Sequence, residues 1–222
     1  MEQRLILATK DSALSKHGHM RKIRRKRTRR PLFDPERVAD RFHKDALRLR
    51  TLKNDEWIHL SYRSFVGFFE GKSSISPHDA LLGASLAYAW MPTILEFRGD
   101  AGEVAGLLRK AAKGADLDAG ELEVLASAIN NSMVGASKLL HFVNPESYAI
   151  WDSRVYRYLT RKKPYAQRLR SPEAYLEFLT FVRSLVSDSR FPQVHRHVKK
   201  VIGYPVTAIR AAEYVMFAKG AR

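Results

Sequence analysis

Lys138 and Asp152 stand fourteen positions apart in one segment of the chain. It reads Asn131-Ser132-Met133-Val134-Gly135-Ala136-Ser137-Lys138, continues through Leu139 to Val143 and Asn144-Pro145, and reaches Tyr148-Ala149-Ile150-Trp151-Asp152-Ser153. A lysine amine attacks an electrophilic carbon and forms a Schiff base only when neutral, a state that burial or nearby positive charge promotes. A fixed carboxylate stabilises positive charge developing beside it, or removes a proton from an attacking group. Each residue also has an ordinary reading, Lys138 as a surface lysine in a basic chain and Asp152 as the N-cap of a helix over Ser153 to Leu159.

The residues before Lys138 have the grammar of a helix, a hairpin and a second helix. A helix is expected to end near Asn131, turn through Val134-Gly135-Ala136 and restart through Ser137-Lys138-Leu139-Leu140. Glycine lets such a turn approach a partner, and a helix start offers backbone N–H groups and a positive dipole end to phosphate. A plain helix C-cap accounts for the same glycine. Asn144-Pro145 reads as a turn, and Tyr148 to Trp151 as a short extended approach to Asp152.

Taken in order, the segment from Ser132 to Leu159 resembles the helix-hairpin-helix DNA glycosylase superfamily, and in particular its 8-oxoguanine-glycosylase-like branch. In that branch a hairpin glycine precedes a catalytic lysine. An apolar helix, a turn with proline, a short apolar run and an aspartate at the next helix start then follow. Here these roles fall on Gly135, Lys138, Leu139 to Val143, Asn144-Pro145, Ala149 to Trp151 and Asp152. The interval between Lys138 and Asp152 is a few residues shorter than in the best-known relatives, and Met133-Val134-Gly135-Ala136 lacks the usual second glycine.

The resemblance implies a DNA glycosylase in which Asp152 stabilises the sugar cation formed on base release and Lys138 attacks the anomeric carbon. It implies base excision followed, where the lysine reacts, by strand nicking. Such an enzyme must extrude its target from the duplex, so it needs a pocket with stacking surfaces. Trp90, Tyr88 and Trp57 are the candidates for that pocket, although aromatic residues also fill cores. Val134, Gly135, Ala136, Ser137, Arg154 and Arg157 are the candidates for DNA contact.

Helical elements must position these groups. Asp34-Pro35-Glu36 supplies an N-cap and a first-turn proline, with Val38, Phe42, Leu47 and Leu49 as an apolar side. Trp57, Leu60, Phe65, Phe68 and Phe69 predict a largely buried helix from Asp55 to Glu70, ended by Gly71. Ser76-Pro77 opens a stretch whose Ala80, Leu81, Gly83, Ala84, Leu86 and Ala87 would be buried against a neighbour, before a break at Tyr88-Ala89-Trp90-Met91-Pro92. Further helices are expected from Gly102 to Lys113, Ala119 to Asn130, Pro172 to Asp188 and Thr207 to Lys219. No alternating strand and no repeat emerges, so the expected fold is all-α, a glycosylase-like helical domain over residues 31–222.

Lys16 to Arg30 holds nine Lys or Arg, Arg24, Arg25 and Arg27 among them, and no acid. Such a run repels itself and is expected to be an arm over residues 1–30 that binds phosphates by counterion release. The whole chain carries a formal charge of +16, which makes nucleic acid the expected partner, and the resemblance implies double-stranded DNA with a modified base. With 45% hydrophobic and 28% charged residues the chain lies far from the disordered class. The absence of cysteine excludes disulfides, thiolate metal sites, iron–sulfur clusters and cysteine nucleophiles. With no metal motif, no cofactor is expected. No stretch approaches about 18 uninterrupted apolar residues, so neither a leader nor a membrane partner is expected, and the expected location is a bacterial-type cytosol or nucleoid.

Two other function classes compete. A non-catalytic helix-hairpin-helix DNA-binding protein explains the charge and the glycine but not the pairing of lysine with aspartate. A nuclease or RNA-directed toxin would draw on His17, His19, His141, His195 and His197. The alternate spacing of His195 and His197 points their rings apart on a helix, which favours chance surface histidines. Within the glycosylase reading, the excised base is either an oxidised purine, in repair, or a modified viral base, in defence against phage.

Overall fold

The structure, a computed structural model, describes residues 31–50 and 56–221. The arm with Arg24, Arg25 and Arg27, His17 and His19, and the expected helix start at Asp55 all lie outside the described residues.

Among the described residues the chain forms eleven helices and no strand beyond one isolated antiparallel bridge, Phe97 to Ile129. They are α1 (Pro35–Leu47), α2 (Glu56–Phe69), α3 (Pro77–Tyr88), α4 (Ala101–Ala112), α5 (Ala119–Ala128), α6 (Met133–Val143), α7 (Ser153–Thr160), α8 (Ala166–Leu169), α9 (Pro172–Val186), α10 (Phe191–Ile202) and α11 (Ala208–Lys219). The fold is all-α. No described helix is long and apolar enough to cross a membrane.

Short-range capping sets most helix starts. Asp34, Ser76, Asp100, Asp118, Ser132, Asp152, Ser171 and Thr207 each accept a backbone N–H from the first turn. Ser76 and Asp118 complete reciprocal capping boxes with Asp79 and Glu121. Each such cap satisfies a donor that the helix itself leaves orphaned and contributes about 1 kcal/mol.

The helices converge on one hydrophobic core, where Trp151, Tyr148, Tyr175, Tyr214, Phe42, Phe142 and Phe178 are the bulkiest fully buried side chains. α6 lies centrally, in contact with α2, α3, α4 and α5, while α11 packs on α1, α7, α9 and α10. Small residues let these helices approach closely. A Cβ on Gly83 of α3 would overlap the Phe69 ring of α2 and stand 2.9 Å from Leu139 of α6.

Several expectations need correction. The hairpin turn lies earlier than its glycine suggested. Asn130 and Asn131 carry the reversal at φ 56° and 50°, Ser132 caps, and α6 is already helical at Met133. Asparagine tolerates left-handed backbone better than most residues, and these two lie in a turn anchored outside it. Asn130 donates from Nδ2 to Ile94 and accepts the Glu96 N–H on Oδ1, so the 94–98 segment braces the reversal. α5 accordingly stops at Ala128, before the expected Asn130.

Leu60 and Trp57 are 68% and 60% exposed, so only the Phe65 and Phe69 face of α2 is core. Leu47 and Leu81 are exposed as well, each on a helix whose apolar width exceeds the face its neighbours cover. α10 escaped the periodicity reading because its Phe191, Val194, Val198 and Ile202 stripe is narrow and interleaved with five Lys, Arg or His.

Candidate functional site

Ser137 on α6 ties together the two segments that carry Lys138 and Asp152. Its hydroxyl accepts the Trp151 N–H at 3.0 Å and donates to the Val134 carbonyl at 2.9 Å. The irregular stretch from Tyr148 to Trp151 is thereby held against α6 although it has no ladder of its own. Side chains take its other polar groups too, since a buried backbone group must find a partner. The Ala149 carbonyl accepts from the Tyr175 hydroxyl at 3.1 Å, and the Tyr148 carbonyl meets His141 Nδ1 at 2.6 Å. The Trp151 indole donates to the Leu169 carbonyl at 3.2 Å.

Asp152 therefore emerges at a fixed place, the N-cap of α7, where Oδ1 accepts the Val155 N–H at 2.8 Å. One residue after Ser137, Lys138 is 7% exposed, and its Nζ donates to the Trp90 carbonyl at 3.2 Å. That carbonyl is available because α3 ends at Tyr88, just before Pro92.

Both groups line the same cavity, of about 580 Å³, a size typical of small-ligand sites. Trp57, Trp90, Met91 and Phe217 supply apolar wall, and Arg154, Arg210 and Glu213 complete the polar lining. Trp90 is a rigid wall. Its indole donates to Ser61 Oγ at 2.9 Å, and the ring stacks on Tyr62 and meets Phe142 edge-on. Trp57 is the exposed counterpart at the rim. Arg154 stands 4.4 Å over the Phe217 ring.

Burial dominates the electrostatics. It pushes the Lys138 pKa down to about 8, opposed by the negative charges of Asp152 and Glu213. Burial also raises the Asp152 carboxyl above its ordinary value, opposed by the N–H of Val155 and the charge of Lys138. The two shifts bring the proton affinities of amine and carboxyl closer together. The lowered pKa leaves far more of the amine neutral near pH 7.5 than the roughly one in a thousand of an ordinary lysine.

Glu213 and Arg210 belong to this site but give no signal in the sequence. They form an i,i+3 ion pair on α11, a spacing that ordinarily marks an exposed helix face, yet they are 0% and 3% exposed. Burial pushes the Glu213 carboxyl up to about 7 despite its contact with Arg210. Phe217, one turn further on, is equally indistinguishable from core in the sequence.

Five other expected site residues, Tyr88, Gly135, Ala136, Ser137 and Arg157, are placed elsewhere. Tyr88 is buried outside the cavity, donating to the Ile129 carbonyl at 3.0 Å. Gly135 is buried against that ring: a Cβ there would stand 2.8 Å from Tyr88 Cε2. The glycine thus serves close packing of α6, and its N–H is already taken by Ser132 Oγ at 3.1 Å. Ala136 and Ser137 are fully buried, so neither they nor Gly135 offers a surface to phosphate. Val134 is half-buried and lines the cavity.

Arg157, four residues beyond Ser153, faces a separate cleft at the far end of α7. There Arg157, Arg161, Lys162, Lys163 and Lys219 surround about 640 Å³, with Asp45 the single acid. This cleft is a cationic concavity, with five Lys or Arg against one acid. The histidines have structural partners. His141 is fully buried, held neutral by burial with its pKa lowered to about 3, and bridges Tyr148 and Tyr62. His195 and His197 each meet a backbone carbonyl, of Val206 and Leu49. Among the described residues no group of three or more His, Asp or Glu gathers in a metal-binding arrangement.

Comparisons of the chain with family models, with curated proteins and with solved structures find no match.

Proposed function

We propose that the chain is a DNA glycosylase of the helix-hairpin-helix kind, with Lys138 and Asp152 as its catalytic residues. One observation carries the proposal. A buried lysine of lowered pKa and a fixed, half-buried carboxylate line one aromatic-walled cavity of about 580 Å³. Separately each has a bland explanation, but a buried ammonium in a cavity wall is expensive and persists without function only rarely.

In the proposed reaction a base leaves the duplex stack and enters the cavity between Trp57 and Trp90. Breakage of the bond between C1′ and the base nitrogen sends the bonding electrons to the base, which takes up a proton as it departs. Positive charge then spreads over C1′ and the ring oxygen, and the Asp152 carboxylate stabilises it. Neutral Lys138 Nζ donates its lone pair to C1′, and loss of a proton from nitrogen with ring opening gives the Schiff base. Loss of a proton from C2′ then forms the C2′–C3′ double bond as the C3′–O bond breaks and the 3′ phosphate leaves with its electrons, which nicks the strand. The substrate classes to test are oxidised purines and modified viral bases.

Incubation with duplexes carrying individual modified bases, and with modified viral DNA, provides the test. Released bases are identified by mass spectrometry and the Schiff base is trapped with borohydride. Base release by the wild-type chain and its loss in Asp152→Asn support the proposal, whereas tight DNA binding with no base released from any substrate contradicts it. The basic cleft at Arg157, Arg161, Lys162, Lys163 and Lys219 favours a second reading, a DNA-binding protein without chemistry. Under that reading neither the wild-type chain nor Asp152→Asn releases a base, and Asp152→Asn keeps DNA binding and the α7 cap.

A further inference from the structure

The cavity contains a polar pair whose bonding is incomplete. Glu213 Oε2 is held by Arg210, while Glu213 Oε1 and Arg210 Nε, both buried where the pair lines the cavity wall, have no hydrogen-bond partner among the described residues. An unpartnered buried carboxylate oxygen carries a desolvation penalty of about 1–3 kcal/mol or more. Arg210 is also fixed from its faces, 4.7 Å over the Tyr62 ring and 5.6 Å over that of Tyr214. The pair therefore has little freedom to turn elsewhere for a partner. Replacement by apolar residues would satisfy the packing as well, which leaves the retained acceptor to be explained.

We infer that Glu213 is the residue that selects the extruded base, its free Oε1 accepting an N–H from an exocyclic amino group, so that the pocket takes amino-bearing bases in preference to their keto isosteres. This rests on the glycosylase reading of the same cavity and adds the recognition of substrate to it. The geometry supports one polarity. Arg210 occupies Oε2, and the one oxygen left is an acceptor, so a base carbonyl at that place meets lone pair with lone pair. An amino group there completes the carboxylate and removes its penalty. The carboxyl titrates near 7, so the acceptor form predominates at about pH 8.

Replacement of Glu213 by glutamine changes the polarity without changing the volume. Arg210 donates to the amide oxygen, which turns the amide NH2 toward the free position and presents a donor where the acceptor had been. Preference then moves toward the keto base.

The test is equilibrium binding at about pH 8 to duplexes with one 2′-fluoroarabino nucleotide, whose fluorine blocks base release. The probe base is cytosine or uracil, and in a second pair adenine or hypoxanthine, each opposite an abasic-site analogue so that neither base is paired. Wild-type protein is expected to bind the amino member of at least one pair about tenfold or more tightly than the keto member. Glu213→Gln is expected to bring that ratio to one or reverse it. The ratio is internal to each protein, so a partly misfolded variant does not change it, and the wild-type ratio needs no variant. Ratios of one for both pairs in the wild type, or an unchanged ratio in Glu213→Gln, overturn the inference. Because binding requires no turnover, an amino preference without base release on any substrate contradicts only the proposed chemistry. Base release with no amino preference contradicts only the role of Glu213.

Discussion

Replacement of Asp152 separates chemistry from architecture, because the proposed catalysis and the cap of α7 use the same carboxylate. Oδ1 caps α7 by accepting the Val155 N–H at 2.8 Å. Asparagine caps as well as aspartate, so Asp152→Asn leaves the helix start intact, while Asp152→Ala loses about 1 kcal/mol. The electrostatic consequence runs the other way for the two proposed catalytic groups. The Asp152 charge raises the Lys138 pKa, so its removal drops that pKa further below about 8 and increases the neutral amine.

If nucleophile supply limited the reaction, Asp152→Asn would be as fast as wild type or faster. The carboxylate is instead assigned to the sugar cation, and loss of such a preorganised group typically lowers the rate by about 10²–10³-fold. Base release is therefore expected to fall by that factor in both variants, with thermal unfolding unchanged only in the asparagine one. Borohydride trapping on a preformed abasic site, where no cation must form, is expected to survive in Asp152→Asn. Wild-type base release by Asp152→Asn, or unfolding of it alongside Asp152→Ala, refutes the reasoning.

The Schiff-base step requires neutral Lys138, whose pKa is lowered, so its population rises with pH and levels off above about 8. Trapping rates measured from pH 6 to 10 should follow that curve, and a continued rise toward 10.5 would mean an ordinary exposed lysine is reacting. Trp57→Ala removes an exposed ring at the cavity rim, so thermal stability should hold within about 0.5 kcal/mol while base release drops roughly tenfold through lost stacking. Gly135→Ala forces a Cβ onto Tyr88, which its bond to Ile129 restrains. A loss of about 1–3 kcal/mol in denaturant unfolding is expected, with no change in the salt dependence of DNA binding.

What could be read from the sequence was chiefly local. Asp34, Ser76, Asp152 and Thr207 announce their helices because a cap and its N–H partner lie within three residues. The extended approach to Asp152 and the break before Pro92 were visible for the same reason. Gly135 misled because its cause is distant: it accommodates Tyr88, on another helix, and the reversal itself rests on two asparagines braced by residues 94–98. Arg210 and Glu213 were invisible because an i,i+3 ion pair looks the same in sequence whether a helix faces water or a cavity. Trp57 and Tyr88 show the converse. Both are aromatic residues on helices, and only the packing of α2 and α3 around α6 leaves one at a rim and buries the other.

The central claim is that Lys138 is the nucleophile. Borohydride reduction of the wild-type chain on abasic duplex DNA, followed by proteolysis and mass spectrometry of the covalent adduct, reads the attacked residue directly. The adduct is expected on the peptide containing Lys138 and is expected to vanish in Lys138→Gln. An adduct on any other lysine, or one that persists undiminished in Lys138→Gln, contradicts the account.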